Sequence, residues 1–113
     1  MTMYVIQRQL AAPYVPVVQT ETGTSRTLTA GDKGSVIYCT SSSPVTITTA
    51  SGLGVAFNVT IVQGGTGKVT VAQGSSTTLA SYSGLYSTMG QYAVVSLLCP
   101  ESDIFIAAGN LGV

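Results

Sequence analysis

Four carboxylates are the side chains of this sequence with the clearest potential for acid–base chemistry: Glu21, Asp32, Glu101 and Asp103. Two carboxylates at a suitable separation can serve as the acid and base of glycoside hydrolysis. Asp32, however, lies in the turn-forming stretch 30–33, and Glu101 and Asp103 flank a second predicted turn. Because Asp and Glu at such places commonly form turns or solvate the surface, we assign these acids structural roles.

Nucleophilic side chains have no partner that would activate them. The sequence contains no His, so neither a Ser nor a Cys has the usual general base. Cys39 and Cys99 are 60 positions apart and each ends an apolar run, which is typical of two small buried hydrophobic residues; a disulfide between them stays open. We therefore predict no enzyme, no metal site and no cofactor.

Two further motifs fail on their spacing or context. Residues 64–68 (GGTGK) resemble part of a phosphate-binding loop, but Val62 stands where its first Gly is needed and Val69 replaces the Ser or Thr that would hold magnesium. A strand is also expected after this stretch, not a helix. The glycosylation sequon at residues 58–60 falls within a predicted strand, so we interpret it as a chance match.

Tyrosines are the one residue type that could recognise a ligand. Tyr82 and Tyr86 lie in residues 81–87 (SYSGLYS), a Ser/Gly/Tyr composition that suits an adaptable recognition loop. The alternative is a loop whose aromatic rings hold it against the domain.

Composition limits the class of protein. The 113 residues suffice for one domain, and four basic residues balance four acidic ones within a charged fraction of 7%. So few basic side chains argue against binding nucleic acid, and no apolar run is long enough for a membrane helix. With 16 Thr and 13 Ser, the surface must be largely neutral, which favours association. We expect a protein that works in an assembly; the alternative is an ordinary soluble β domain.

Alternation of apolar and hydroxyl residues predicts β-strands at 44–49, 56–62 and 68–72, the last two joined by glycines as a hairpin. Residues 91–99 are apolar on both faces, which predicts a central strand covered on both sides. Residues 103–108 would pair with it through a turn at 100–102. The predicted fold is all-β, an antiparallel β-sandwich or small barrel of short strands.

The first 25 residues differ from the rest. Pro13 and Pro16 disfavour both a helix and a central strand, and a polar stretch follows at 19–25. We therefore predict an extended N-terminal arm at 1–25 and a β-sandwich domain at 26–113. The arm's partner-binding residues would be apolar: Tyr4, Ile6, Tyr14 and Val17. The alternative is an edge strand folded onto its own domain.

The sequence from residue 27 to 111 resembles a module of tailed-bacteriophage virion proteins, found in tail fibres and in head-decoration or head-fibre proteins. The matching stretches are 27–34 (TLTAGDKG), 44–48 (PVTIT), 54–70 (GVAFNVTIVQGGTGKVT), 91–97 (QYAVVSL) and 104–111 (IFIAAGNL). The final strand of the module often has Trp where this chain has Phe105.

This resemblance implies a virion structural protein. One β module with a short arm is most similar to a capsid decoration (cement) protein on the exterior of a phage head. Its expected partners are the major capsid protein and copies of itself, commonly as a trimer, with no nucleic acid and no membrane. The alternative implied by the same resemblance is a tail or collar module that binds a receptor or glycan through the loop of Tyr82 and Tyr86.

Overall fold

The computed structural model describes residues 17–113. Apart from one turn of 3-10 helix at Ala30–Asp32, the regular structure in this range is entirely β. This confirms the predicted all-β class. The strands are β1 (Val18–Glu21), β2 (Ser25–Thr27), β3 (Val36–Cys39), β4 (Val45–Thr48), β5 (Asn58–Gln63), β6 (Val69–Ala72), β7 (Thr78–Ser81), β8 (Ser87–Thr88), β9 (Val94–Glu101), β10 (Ile104–Gly109) and β11 (Leu111–Gly112).

The strands form two sheets between which the chain alternates. The larger sheet has the order β1-β3-β5-β9-β10-β7 and the smaller sheet the order β11-β8-β6-β4-β2. The first six strands therefore make three successive coils: coil 1 (β1 and β2), coil 2 (β3 and β4) and coil 3 (β5 and β6). Within each sheet the coil strands are parallel. The architecture is thus solenoid-like stacking, and the predicted antiparallel sandwich or barrel is wrong.

Coils 2 and 3 are in register with a constant offset. Val36 pairs with Thr60 in the larger sheet and Val45 pairs with Val69 in the smaller one, and each pair is 24 positions apart. Coils 1 and 2 do not share this spacing, because Val18 pairs with Val36 and Ser25 pairs with Thr46, offsets of 18 and 21 positions. The 24-residue spacing is thus a relation between coils 2 and 3.

The predicted hairpin at 56–72 is wrong, because β5 and β6 belong to different sheets. The glycine-rich segment between them is a corner at which the chain crosses from one sheet to the other. A Cβ atom at Gly65 or Gly67 would collide with the backbone of Ser41 or Ser43 in coil 2. The glycines are therefore needed for close stacking of the coils.

The last predicted hairpin is confirmed in its pairing, but β9 continues to Glu101, so the turn lies at residues 102–103 and not at 100–102. β9 and β10 are antiparallel neighbours, and β9 also pairs with β5, so that β9 is an inner strand of the larger sheet. Asp103 takes a positive φ of 61° in the turn between them, a conformation that Asp tolerates better than most residues.

The core lies between the two sheets. Its two aromatic rings, Phe57 and Phe105, meet edge to face with centroids 6.1 Å apart. Around them pack the other fully buried apolar side chains, chiefly Leu28, Ile37, Val45, Ile47, Ile61, Val69, Val95 and Leu97.

The sequence predicts a core of thirteen residues, and eight of them are buried: Val45, Ile47, Phe57, Val59, Ile61, Val69, Val71 and Leu97. Neighbouring residues are buried in place of the other five, which face outward: Val36, Tyr38, Val94, Ile104 and Ile106. The inward residues are instead Ile37 and Cys39 in β3, Val95 in β9 and Phe105 in β10. Both phases of these strands are apolar, so the pattern alone does not decide which phase is buried.

Cys39 and Cys99 are buried and unpaired, as expected for small hydrophobic residues. They lie on β3 and β9, which β5 separates within the larger sheet. Burial raises the pKa of the Cys39 thiol to about 11, and nearby Glu21 acts in the same direction.

The described part of the predicted arm lies on the domain. β1 pairs in parallel with β3, and β2 pairs in parallel with β4. Residues 18–21 are thus an edge strand of the larger sheet, in agreement with the alternative interpretation for this part. Residues 1–16, with Tyr4, Ile6 and Tyr14, lie outside the described residues.

Candidate functional site

The interior of coil 1 is polar where the other coils are apolar. In the register of the sheets, Gln19 and Glu21 align with Ile37 and Cys39, and Arg26 aligns with Ile47. The Arg26 guanidinium binds Glu21 Oε1 at 3.0 Å through Nη1, and its Nη2 donates to Gln19 Oε1 at 2.7 Å. These side chains close the end of the core with a hydrogen-bonded ionic cluster.

Asp32 completes this cluster. Its Oδ1 accepts hydrogen bonds from Arg26 Nη2 at 2.7 Å and Gln19 Nε2 at 3.0 Å, and its Oδ2 accepts one from the Thr29 N–H at 3.0 Å. Burial by itself would raise the pKa of this carboxyl, but the hydrogen bonds and the charge of Arg26 outweigh it and hold the pKa below its usual range. Burial by itself would lower the pKa of Arg26, but the hydrogen bonds to Asp32 and Glu21 and their negative charges outweigh it and raise the pKa.

The bonding of this cluster fits a structural role. A carboxylate that is 2% exposed and saturated with donors neither holds a proton to give nor faces a substrate. The predicted turn role of Asp32 is therefore correct, since it ties Thr29 to the start of the 3-10 turn, but a solubilising role is wrong.

The two remaining acids lie near the turn between β9 and β10. Asp103 Oδ1 accepts a hydrogen bond from the Gly52 N–H at 2.8 Å, and Glu101 is exposed. Within residues 17–113, no group of three or more His, Cys, Asp or Glu side chains is placed to hold a metal ion. No helix in the same range is long and apolar enough to span a membrane.

The structure separates the two tyrosines of the predicted ligand loop. Tyr86 packs against the core and its hydroxyl donates to the Leu79 carbonyl at 3.4 Å, so it holds the loop in place. Tyr82 is fully exposed. It borders a shallow groove of about 200 Å³, which is lined by Tyr82, Ser83, Ala107, Ala108, Gly109 and Leu111.

The outer face of the larger sheet carries apolar side chains on five of its six strands. Polar outward residues lie among them, namely Thr20, Asn58, Thr60, Thr78 and Ser96. Its outward positions are uncharged except at the β9–β10 turn, where the exposed Glu101 pairs with Ile104. We call this surface the apolar face and define it by eight residues: Val18, Val36, Tyr38, Val62, Val94, Leu98, Ile104 and Ile106.

Register brings these side chains together across the strands. Tyr38, Val62 and Val94 form one row, and Leu98 pairs with Ile106 in another. Val94 is 41% exposed and Leu98 is 49% exposed. The predicted cover on both sides of residues 91–99 is thus present on the core side only, among the residues that the structure describes.

The outer face of the smaller sheet has a different chemistry. Its outward positions in β2, β4 and β6 are mainly hydroxyl residues: Ser25, Thr27, Thr46, Thr48 and Thr70. Thr70 Oγ1 lies 2.7 Å from Ser87 Oγ on β8, so the hydroxyls also bond to one another. This face is suited to water, whereas the apolar face is not.

Sequence reasoning missed the apolar face, although the sequence contained a signal for it. Strands β3, β9 and β10 are apolar at both odd and even positions, and a solvated sheet face would favour polar residues at one of them. The predicted partner-binding residue Val17 lies beside this face at its β1 edge. It is 51% exposed, and its carbonyl accepts a hydrogen bond from the Val36 N–H at 2.9 Å.

No protein-family model matches this chain, and no curated protein has significant sequence similarity to it.

Proposed function

We propose that this protein is a virion structural protein, and specifically a capsid decoration (cement) protein that binds the outside of a phage head and stabilises it. Its partners would be the major capsid protein and further copies of itself, as a trimer. The observation that carries the proposal is the apolar face, which is the kind of surface that an assembly covers.

The size of the face supports this interpretation. Six strands spaced about 4.8 Å apart span about 24 Å, and strands of four to eight residues are about 13–26 Å long. The whole outer face of the larger sheet, its polar residues included, therefore covers on the order of 300–600 Å². An apolar patch of this order is the largest that a typical monomer exposes, and it is often functional.

The charge pattern supports it as well. Burying an ion without a partner costs several kcal/mol. The eight residues of the apolar face are uncharged, and Glu101 borders the face at the β9–β10 turn. A protein with zero net charge also repels its own copies weakly. Weak contacts of this kind add up when symmetry repeats them over a shell. A protein that binds the assembled shell also shifts the equilibrium toward assembly, and it therefore opposes disassembly.

The resemblance of residues 27–111 to phage virion modules supplies the setting. In that setting the protein is made in the host cytoplasm and works on the capsid exterior. The ionic cluster of coil 1 is internal, so it adds no competing catalytic role.

Electron microscopy of phage particles with and without the protein tests the proposal. We expect density for regular copies over the shell and earlier loss of DNA on heating when the protein is missing. Leu98→Glu on the apolar face should abolish or weaken decoration, while the matched change Thr46→Glu on the hydroxyl face should preserve it. Copies found only at the tail would contradict the proposal.

A receptor- or glycan-binding module of a tail or collar is the alternative function. Exposed Tyr82 beside a groove of about 200 Å³ favours it, since an aromatic ring next to a shallow concave surface can stack against a sugar. Binding of host glycans that is lost in Tyr82→Ala and retained in Tyr92→Ala, another exposed tyrosine, would support this alternative.

A further inference from the structure

We infer that the apolar face of one copy is covered by residues 1–16 of a second copy of this chain. The inference rests on the proposed assembly function and names the surface and the segment through which the copies bind each other.

The face needs a cover that the described residues do not provide. Its members are outward residues of the same strands whose inward residues fill the core, so β9 and β10 present apolar side chains in both directions. Core packing explains one direction only. On the opposite side of the sheet, Leu98 is 49% exposed to solvent and Val94 is 41% exposed.

The segment outside the described residues begins at the border of this face. Residue 16 is followed by Val17 and Val18, at the edge strand β1 of the larger sheet. Both valines are more than half exposed, at 51% and 64%. An apolar surface therefore continues from the sheet to the point at which residues 1–16 are attached.

The composition of residues 1–16 matches the face. Ten of these sixteen residues are apolar, and Arg8 is the only charged one. Tyr4, Ile6 and Tyr14 carry apolar surface that can pack on the face, and removal of that surface from water favours binding. A partner rich in charges would instead place its ions opposite the eight uncharged residues of the face.

Reach and area favour a second copy. Sixteen extended residues span about 53 Å, more than twice the width of about 24 Å estimated for the face. A face of about 300–600 Å² is smaller than the roughly 800 Å² that each partner contributes to a stable interface. If two copies exchange residues 1–16, the total buried area rises, because each copy contributes one segment and binds one.

Point variants of the full-length protein, measured by sedimentation equilibrium, test the inference without any capsid. We expect the wild type to be oligomeric. The double change Ile6→Glu with Tyr14→Glu, and separately Leu98→Glu, should each raise the dissociation constant at least 100-fold with an unchanged β circular dichroism spectrum. Thr46→Glu on the hydroxyl face should associate like the wild type.

Cross-linking identifies which copy supplies the segment. An Ile6→Cys variant mixed with a Leu98→Cys variant should give covalent heterodimers with a flexible bismaleimide, whereas Ile6→Cys mixed with Thr46→Cys should not. The native Cys39 and Cys99 are buried and do not compete.

Three results would overturn the inference: a monomeric wild type, an oligomer that resists the Ile6/Tyr14 changes but not Leu98→Glu, or cross-links that form only within an Ile6→Cys, Leu98→Cys double variant. Failure of the proposed function has a different signature. In that case purified copies would exchange their segments as described, yet particles would carry no decoration.

Discussion

Nη2 of Arg26 lies 2.7 Å from Oδ1 of Asp32, at the end of the core where the other coils place aliphatic side chains. Arg26 is on β2 and Asp32 is in the 3-10 turn that leads to β3. This ion pair therefore connects coil 1 to the start of coil 2, and its two members are only six residues apart in sequence.

Replacing Asp32 with Asn should destabilise the protein by about 1–3 kcal/mol at neutral pH, because the charge-assisted bond to Arg26 is lost. The folded state lowers the pKa of Asp32, so its contribution to stability is present above the unfolded pKa of about 4 and is lost as the pH falls through the folded value. Urea unfolding of both proteins between pH 7 and pH 2 measures this. The difference between them should shrink below about pH 4; a constant difference would contradict the assigned role.

Gly67→Ala should destabilise the fold strongly, by more than about 2 kcal/mol, since the new methyl group collides with the Ser43 backbone of coil 2. Gly90→Ala is the matched control, because no atom lies within 4 Å of the point that its Cβ would occupy and its φ is not positive. Thermal unfolding of the two variants compares them. Equal melting temperatures would show that residues 64–67 do not stack as described.

The thiols should resist modification in the native protein. With the Cys39 pKa near 11 and both sulfur atoms buried, an aromatic disulfide reagent at pH 8 should react only as fast as the protein unfolds. Reaction in denaturant gives the reference of two thiols per chain. Changing both residues to Ala should leave the fold intact with a modest loss of stability, whereas a mass decrease of two hydrogens before reduction would reveal a disulfide.

Tyr86→Ala should cost about 2–4 kcal/mol in the free energy of unfolding, because the ring packs on the core. Tyr82→Ala should leave that free energy unchanged, because the side chain is fully exposed. Denaturant titration of both variants measures the contrast. Similar losses in the two variants would mean that the loop of residues 81–87 packs differently.

Local patterns predicted the strands well but not their partners. Alternation located β4, β5 and β6 within a few residues, because a half-buried strand imposes a period of two wherever it lies. It could not distinguish a hairpin from two strands in different sheets. Only the 24-residue offset that pairs Val36 with Thr60 does so, and that relation compares distant parts of the chain.

The candidate surfaces were predicted less well for a related reason. Gln19, Glu21 and Arg26 are individually typical of a solvated linker, and only the stacking on coil 2 turns them inward. The apolar face was hidden because Val94 and Leu98 looked like a second layer of core. A doubly apolar strand is consistent both with burial inside one chain and with burial between chains, and composition does not separate the two.

Because coils 2 and 3 have the same offset of 24 residues in both sheets, a coil could be added by inserting 24 residues. In-frame duplication of residues 36–59 would add one coil and lengthen the stack by one strand spacing, roughly 4.8 Å. The ionic cluster of coil 1 and strands β7–β11 would keep their present neighbours. Each coil added in this way would widen the apolar face by one strand without introducing a new kind of contact.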